Sequence, residues 1–407
     1  MHPDSPPAIE ASEYQDRRRR LREAIADRGL DGALVVSRGS HGGEWGGDVL
    51  YLTNHYTPFC QLPDYESLWR GRGHAVYVTR ADGDDILVAD IPDWRSDLVV
   101  ADDVRVALDL WAGVADAVRA LGLDSASLGL IGQQVLPHAG AQRFMGEMPG
   151  ARFTWADDAL EQLRRRKSDA EIELCRHATK VGCEITNAFM EAAVEGATEG
   201  DCVAAGLSVA ARRGALSWDM PVASGPNVDH FQWERLPSWD TTRRLQAGDM
   251  IHPDIYGSVN AYMYDMIRSR VVGRDANDAE QELLEGAIGV IEEIVAGVRP
   301  GVTAAELFER GDTWLKANGF DATPGSAAAD DVAFLAQSFP AFGHGIGLSW
   351  ERPWISSTDP LPLEQGMVLA FEAQAGKPGI GTAAFEHNVL VTDDGAEILT
   401  GDAKLRW

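Results

Sequence analysis

Apolar positions recur at helical spacing from Tyr14 to Gly29, and the pattern then changes period. Gly32-Ala33-Leu34-Val35-Val36, His74-Ala75-Val76-Tyr77-Val78 and Asp85-Ile86-Leu87-Val88-Ala89 are short, nearly continuous apolar runs, the signature of strands buried on both faces. Alternating helices and strands of this kind predict an α/β domain over the first 150 or so residues. Further on, the punctuation belongs to helices. Ser168-Asp169-Ala170-Glu171 has the Ser-x-x-Glu form of a capping box and opens a long amphipathic run to about Val194. Thr198 to Asp201, Asn277 to Glu280 and Thr303 to Glu306 repeat that signal for three more helices, the last closed by Gly319 as a left-handed residue. Helices interrupted by hairpins, without regular βαβ alternation, predict an α+β second domain. The boundary is expected between residues 155 and 168, giving domains 1–160 and 161–407.

Composition narrows the class. A chain of 407 residues that is 45% hydrophobic and 24% charged has material for two folded cores, and its apolar runs fall short of the roughly 18 residues needed to span a bilayer. Arg17 to Arg20 are not followed by the apolar segment of a secretory signal, so a cytoplasmic location without membrane attachment is expected. The net charge of -27 excludes a phosphate-backbone partner, so no nucleic acid is expected. Five of the 36 basic residues are lysines, which fits either a saline habitat or a GC-rich genome. Cys60, Cys175, Cys183 and Cys202 form no CxxC pair and are read as buried free thiols. Gly42 to Gly47 is glycine-rich but lacks the strand-to-helix context of a phosphate loop. The aromatic residues Trp45, Tyr51, Tyr56, Phe59, Tyr65 and Trp69 fit either core packing or a lid.

The chemistry gathers in the second half. Ile251 to Arg268 reads as two strands around Gly257-Ser258-Val259-Asn260. A turn centred between Val259 and Asn260 sets Asp254 directly opposite Asp265. Facing side chains of that kind have Cβ atoms about 4.5 to 5.5 Å apart, so the two carboxylates repel unless cations lie between them. Two metal ions about 3.5 to 4 Å apart would fit. The plain alternative is one turn residue and one exposed strand residue. Three further segments add to the case. His344 lies in Gly343-His344-Gly345-Ile346-Gly347, while Glu372 and Glu386 are single acids within apolar strands, where an uncompensated carboxylate is costly to bury. A core histidine and two salt bridges are the bland readings of these three. Oxygen donors with one imidazole suit Mn, Fe, Co or Zn in a dinuclear site.

These motifs resemble the pita-bread-fold metallopeptidases, the family of methionine aminopeptidase, aminopeptidase P, prolidase and creatinase. Aspartates eleven residues apart on a hairpin with Arg268 three further on, the His344 loop, Glu372 ending a Gly-Met-Val strand, and Glu386 before Val-Leu-Val-Thr follow the family order. The resemblance implies a creatinase-like amino-terminal α/β domain followed by a pita-bread catalytic domain, as in the creatinase, aminopeptidase P and prolidase branch. It implies a homodimer with two divalent metal ions, Mn above all, held by Asp254, Asp265, His344, Glu372 and Glu386. It also implies hydrolysis of an amide or Xaa-Pro bond in a dipeptide or other small substrate, with Glu372 as proton acceptor. His230, after Ser224-Gly225-Pro226-Asn227, and His387 would stabilise the oxyanion or protonate the leaving nitrogen; the plain alternative for His387, next to Glu386 on an alternating strand, is that it points the other way. Arg268 would orient a carboxylate ligand or, as the alternative, bind substrate. Glu351 stands where the Xaa-Pro enzymes usually carry a second histidine, and Ala384 and His387 replace an Arg and an Asp beside the last ligand. These departures keep an alternative open: a lyase acting on a small sulfonium carboxylate, or an amidino- or ectoine-type hydrolase.

Overall fold

A computed structural model describes residues 7–39, 47–57, 59, 62–65, 67–92, 94–229, 235–320, 341–377 and 380–404. The chain forms two compact units, Ala8–Arg164 and Arg165–Trp407.

The first unit runs α1 (Ala11–Asp27), β1 (Gly32–Arg38), α2 (Gly47–Thr53), β2 (His74–Arg80), β3 (Asp85–Ala89), β4 (Val104–Val106), α3 (Leu110–Ala120), β5 (Ser127–Ile131), α4 (His138–Gly146), β6 (Arg152–Trp155) and α5 (Asp157–Arg165). Its six-stranded sheet has the order β4-β3-β2-β1-β5-β6, with β1 antiparallel to β2 and parallel to β5. The three apolar runs read from sequence become β1, β2 and β3, and Leu34, Val36, Val76, Val78, Ile86 and Val88 share one core with Trp111 and Phe144. Tyr51 is buried beneath Arg17 and belongs to packing, whereas Trp45 and most of the glycine-rich run lie outside the described residues.

The second unit runs α6 (Asp169–Ala192), α7 (Glu199–Arg213), β7 (Ala215–Asp219), β8 (Val222–Ser224), β9 (Met250–Val259), β10 (Tyr262–Ile267), β11 (Arg270–Val271), α8 (Asp278–Ala296), α9 (Ala304–Ala317), β12 (Gly343–Ile346), β13 (Trp350–Trp354), β14 (Val368–Lys377), β15 (Gly381–Val391) and β16 (Ala396–Ile398). All four capping boxes form, each with reciprocal side-chain and backbone bonds, and Gly319 takes φ +74° after α9. Two five-stranded sheets result, one centred on β9 and the other ordered β13-β12-β14-β15-β16. One face of β14 and β15 buries Phe371, Ala373, Phe385 and Val389 in a core with Leu283, Ile291 and Leu307 of α8 and α9. The opposite face meets β10, where the Asn388 side chain donates to the Asp265 carbonyl at 2.6 Å and accepts from the Asp265 amide at 3.3 Å. Strand alternation thus separates a greasy face from a polar one.

The β9–β10 hairpin corrects one expectation. Val259 pairs with Tyr262, so the turn residues are Asn260 and Ala261, at φ +48° and +70°. A two-residue turn with both central residues left-handed matches the twist of the strands it joins. The turn centre therefore moves one residue along the chain. Asp254 faces Ile267, Asp265 faces Tyr256, and the two aspartates are diagonal neighbours on the same face.

Among the described residues, Cys175, Cys183 and Cys202 are buried free thiols, and Cys60 lies outside them. No described helix is long and apolar enough to cross a membrane.

Candidate metal centre

Three hairpin segments carry the four acidic residues and His344 to one place. Asp254 and Asp265 come from β9 and β10. His344 comes from β12, where Gly343 is obligatory: at φ +124°, a Cβ there would stand 1.9 Å from the Ala370 carbonyl oxygen of β14. Glu372 of β14 is directly opposite Glu386 of β15, so both carboxylates leave the same face of the sheet.

At the centre, His344 Nε2 lies 3.7 Å from Asp265 Oδ2 and 3.5 Å from Glu372 Oε1. Ligand atoms of Asp265, His344 and Glu386 all fall within 4.8 Å of one another, a spacing that can hold a metal ion. Glu386 is 1% exposed, and neither of its carboxylate oxygens has a hydrogen-bond partner; Asp254 Oδ1 is in the same condition. Leaving such groups unpaired in a dry interior is expensive.

Electrostatics repeats the message. Burial, then the charges of Asp265 and Glu372, hold Asp254 well above the usual carboxylate range. Burial, then Asp265, Glu372 and Asp254, does the same to Glu386. Asp265 is pushed up to about 7 by burial against the pull of His344, with Glu372 adding to the rise. Burial acts downward on His344, but the Glu372 hydrogen bond and the Asp265 charge outweigh it and raise the imidazole. Four carboxylates and one imidazole packed this closely do not all ionise without added positive charge. Hard oxygen donors with a single nitrogen are what divalent cations such as Mn, Fe, Co or Zn take, so the residues fit such ions.

The remaining expected residues are placed differently. His230 lies outside the described residues. His387 is opposite Phe371, so it points to the face away from Glu372 and Glu386. There it contacts the Thr400 hydroxyl and sits edge-on to Phe385 at 4.7 Å. Burial and then Arg268 push its imidazole down to about 3. Its expected catalytic place is corrected by the period-two alternation of a strand. Arg268 is buried over the Phe385 ring at 4.3 Å, and it donates to the backbone carbonyls of Glu386 at 2.6 Å and Ile267 at 2.8 Å, not to a carboxylate ligand. It braces the strand that carries Glu386. Glu351 forms a nearly buried ion pair with Lys167, Oε2 to Nζ 2.7 Å. Two residues were not foreseen. Asn388 pins the Asp265 backbone, and Trp350 donates its indole N–H to Asp265 Oδ2 at 3.2 Å. An amide inside the apolar run of β15 was the available signal for Asn388.

A buried carboxylate and imidazole centre at the meeting of two sheets defines a metal-dependent enzyme of the pita-bread type. The model of metallopeptidase family M24 matches residues 173–393, and that of the creatinase/prolidase N-terminal domain matches residues 17–166. The chain therefore belongs to metallopeptidase family M24, with a creatinase-like amino-terminal domain, and is a metal-dependent peptide hydrolase. It is 28% identical over 293 residues to the Xaa-Pro dipeptidase of Pyrococcus furiosus, covering 70% of this chain and 76% of that one. It is 32% identical over 253 residues to a probable dipeptidase PepE of Mycobacterium bovis, covering 59% and 60%. Among solved structures, the prolidase of Pyrococcus horikoshii superposes with a TM-score of 0.75 at 20% identity, covering 95% of this chain and 98% of that one. The dipeptidase PepE of Mycobacterium ulcerans superposes with a TM-score of 0.73 at 25% identity, with 97% of each chain covered. The lyase and amidino- or ectoine-type alternatives find no support in these comparisons.

Proposed function

We propose that Asp254, Asp265, His344, Glu372 and Glu386 hold two divalent metal ions, Mn above all, and that the chain hydrolyses the peptide bond of dipeptides, Xaa-Pro dipeptides included. The observation that carries the reading is Glu386, with both oxygens buried and unpartnered among three other carboxylates. Divalent ions held by these residues would supply Lewis acidity toward a carbonyl and lower the pKa of a bound water toward neutrality. The protein does the rest. Asp254, Asp265 and Glu386 are held rigidly by β9, β10 and β15, which fixes the donor set before substrate arrives. Glu372, with its side chain 17% exposed and Oε1 3.5 Å from His344 Nε2, is the most open of the four acids. It accepts the proton of the attacking water and returns it to the departing nitrogen.

Glu351 bears on the substrate. It occupies the position where a second histidine is expected in the Xaa-Pro enzymes, and its carboxylate is engaged by Lys167 at 2.7 Å. That position offers no imidazole to the scissile group, which favours a dipeptidase with less reliance on proline after the cleaved bond. The three described free thiols fit a reducing cytoplasm, and the family resemblance supports a homodimer, testable by light scattering.

The test is a panel of Xaa-Pro and ordinary dipeptides offered to protein stripped by chelator and then given Mn, Co or Zn. Activity lost on stripping and regained with metal is expected. Full activity in protein shown to be metal-free would overturn the reading.

A further inference from the structure

Trp350 opens β13, six residues beyond His344, and its backbone position is fixed by pairing with Ile346. Its indole N–H donates to Asp265 Oδ2 at 3.2 Å, the same oxygen that lies 3.7 Å from His344 Nε2. The ring cannot swing away easily. It is packed edge-on against Tyr256 at 5.3 Å and 63°, Trp218 at 5.5 Å and 75°, and His344 at 6.4 Å and 84°. Tyr256 is the register partner of Asp265, and Trp218 is the extra residue where the β7 register shifts between Ser217 and Asp219. A bulge of that kind re-aims a side chain that regular alternation would send elsewhere. Indole has one donor and no acceptor, so Trp350 cannot itself ligate a cation. What it can do is hold one lone pair of Oδ2 and thereby set the rotation of the whole carboxylate.

We propose that Trp350 is a positioning residue for Asp265, fixing its carboxylate in the orientation in which its remaining lone pairs and those of Glu386 accept a divalent cation beside His344. The inference rests on the metal-site reading above. Outer partners of metal ligands orient them, and losing one weakens metal affinity about 10- to 100-fold.

The test is calorimetric titration of Mn(II) into chelator-stripped wild type, Trp350→Phe and Trp218→Phe. Trp350→Phe keeps an aromatic ring but removes the N–H. Trp218→Phe disturbs the aromatic packing and leaves the N–H to Asp265 intact. Weaker binding by about 10- to 100-fold is expected in Trp350→Phe alone, with kcat recovering toward wild type as Mn(II) is raised. Trp350→Leu, which also lacks a donor, replaces it if the Phe variant does not fold. Wild-type affinity in the folded Trp350 variant overturns the positioning role, as does an equal loss in Trp218→Phe, which would make the effect one of packing. A stripped wild type that takes up no divalent ion overturns the metal-site reading and this inference together.

Discussion

Glu386 and Arg268 are neighbours that do opposite work. The Glu386 carboxyl is buried with its oxygens unpartnered and its pKa raised by burial and by the surrounding acids, so in the absence of a cation it burdens the fold. Glu386→Gln is accordingly expected to lose metal affinity by more than about 100-fold, beyond what an outer partner costs, while the metal-free variant melts above the metal-free wild type at neutral pH. Calorimetry and a thermal scan on stripped protein check both halves. Arg268 is a brace: its guanidinium holds the Glu386 and Ile267 carbonyls, and burial pulls it down to about 10. Arg268→Met should cost roughly 1.5 to 3 kcal/mol in urea unfolding; a stability unchanged within error would remove it from that role. At this scale, single acids in apolar strands were readable because burial of a lone carboxylate demands compensation. His387 was open between two faces of its strand, and the register puts it opposite Phe371, away from Glu386. Trp350 was unreadable, since its contact with Asp265 spans two hairpins that no local pattern connects.

The β9–β10 hairpin decides how the two aspartates meet, and its turn contains one residue ill suited to it. Asn260 tolerates the left-handed region through its short polar side chain, but Ala261 at φ +70° has no such help. Ala261→Gly supplies the Asn-Gly pair that this turn type favours and is expected to stabilise the protein by about 1 kcal/mol. Metal affinity should be unchanged, because the register that makes Asp254 and Asp265 diagonal neighbours is retained. A lower urea midpoint in the variant would mean that the turn lies elsewhere. Element ends with local chemistry were plain in the sequence, as the four capping boxes show. The hairpin centre was not, because Gly257-Ser258 drew the turn one residue early. Gly257 instead lies in β9, where a Cβ would stand 2.2 Å from the Leu216 carbonyl oxygen of β7. The glycine was there for close strand approach, not for turning.

At the level of the whole molecule, the metal centre makes stability depend on pH in a direction unusual for carboxylates. Asp254, Asp265 and Glu386 bind protons more tightly folded than unfolded, Asp265 with a folded value of about 7. Between the unfolded carboxylate range near pH 4 and that value, the native state holds more protons than the unfolded chain, so stability falls as pH rises. Their contribution is complete below about pH 4 and is lost as pH rises through the folded values, for Asp265 through about 7. The net charge of -27 adds self-repulsion over the same interval. Metal-free protein is therefore expected to show a Tm that drops from about pH 5 to pH 8, and the drop should be smaller in Glu386→Gln. A bound divalent ion reverses the sense at the site, since it requires the ionised carboxylates, and at a hundred times its dissociation constant it adds about 2.7 kcal/mol. The gap in Tm between metal-loaded and stripped protein should consequently widen from pH 5 to pH 8, with proton release on binding seen as a buffer-dependent heat. A gap that stays constant across that range would mean that these carboxylates are already ionised in the metal-free fold, and the electrostatic argument for the centre would fall with it.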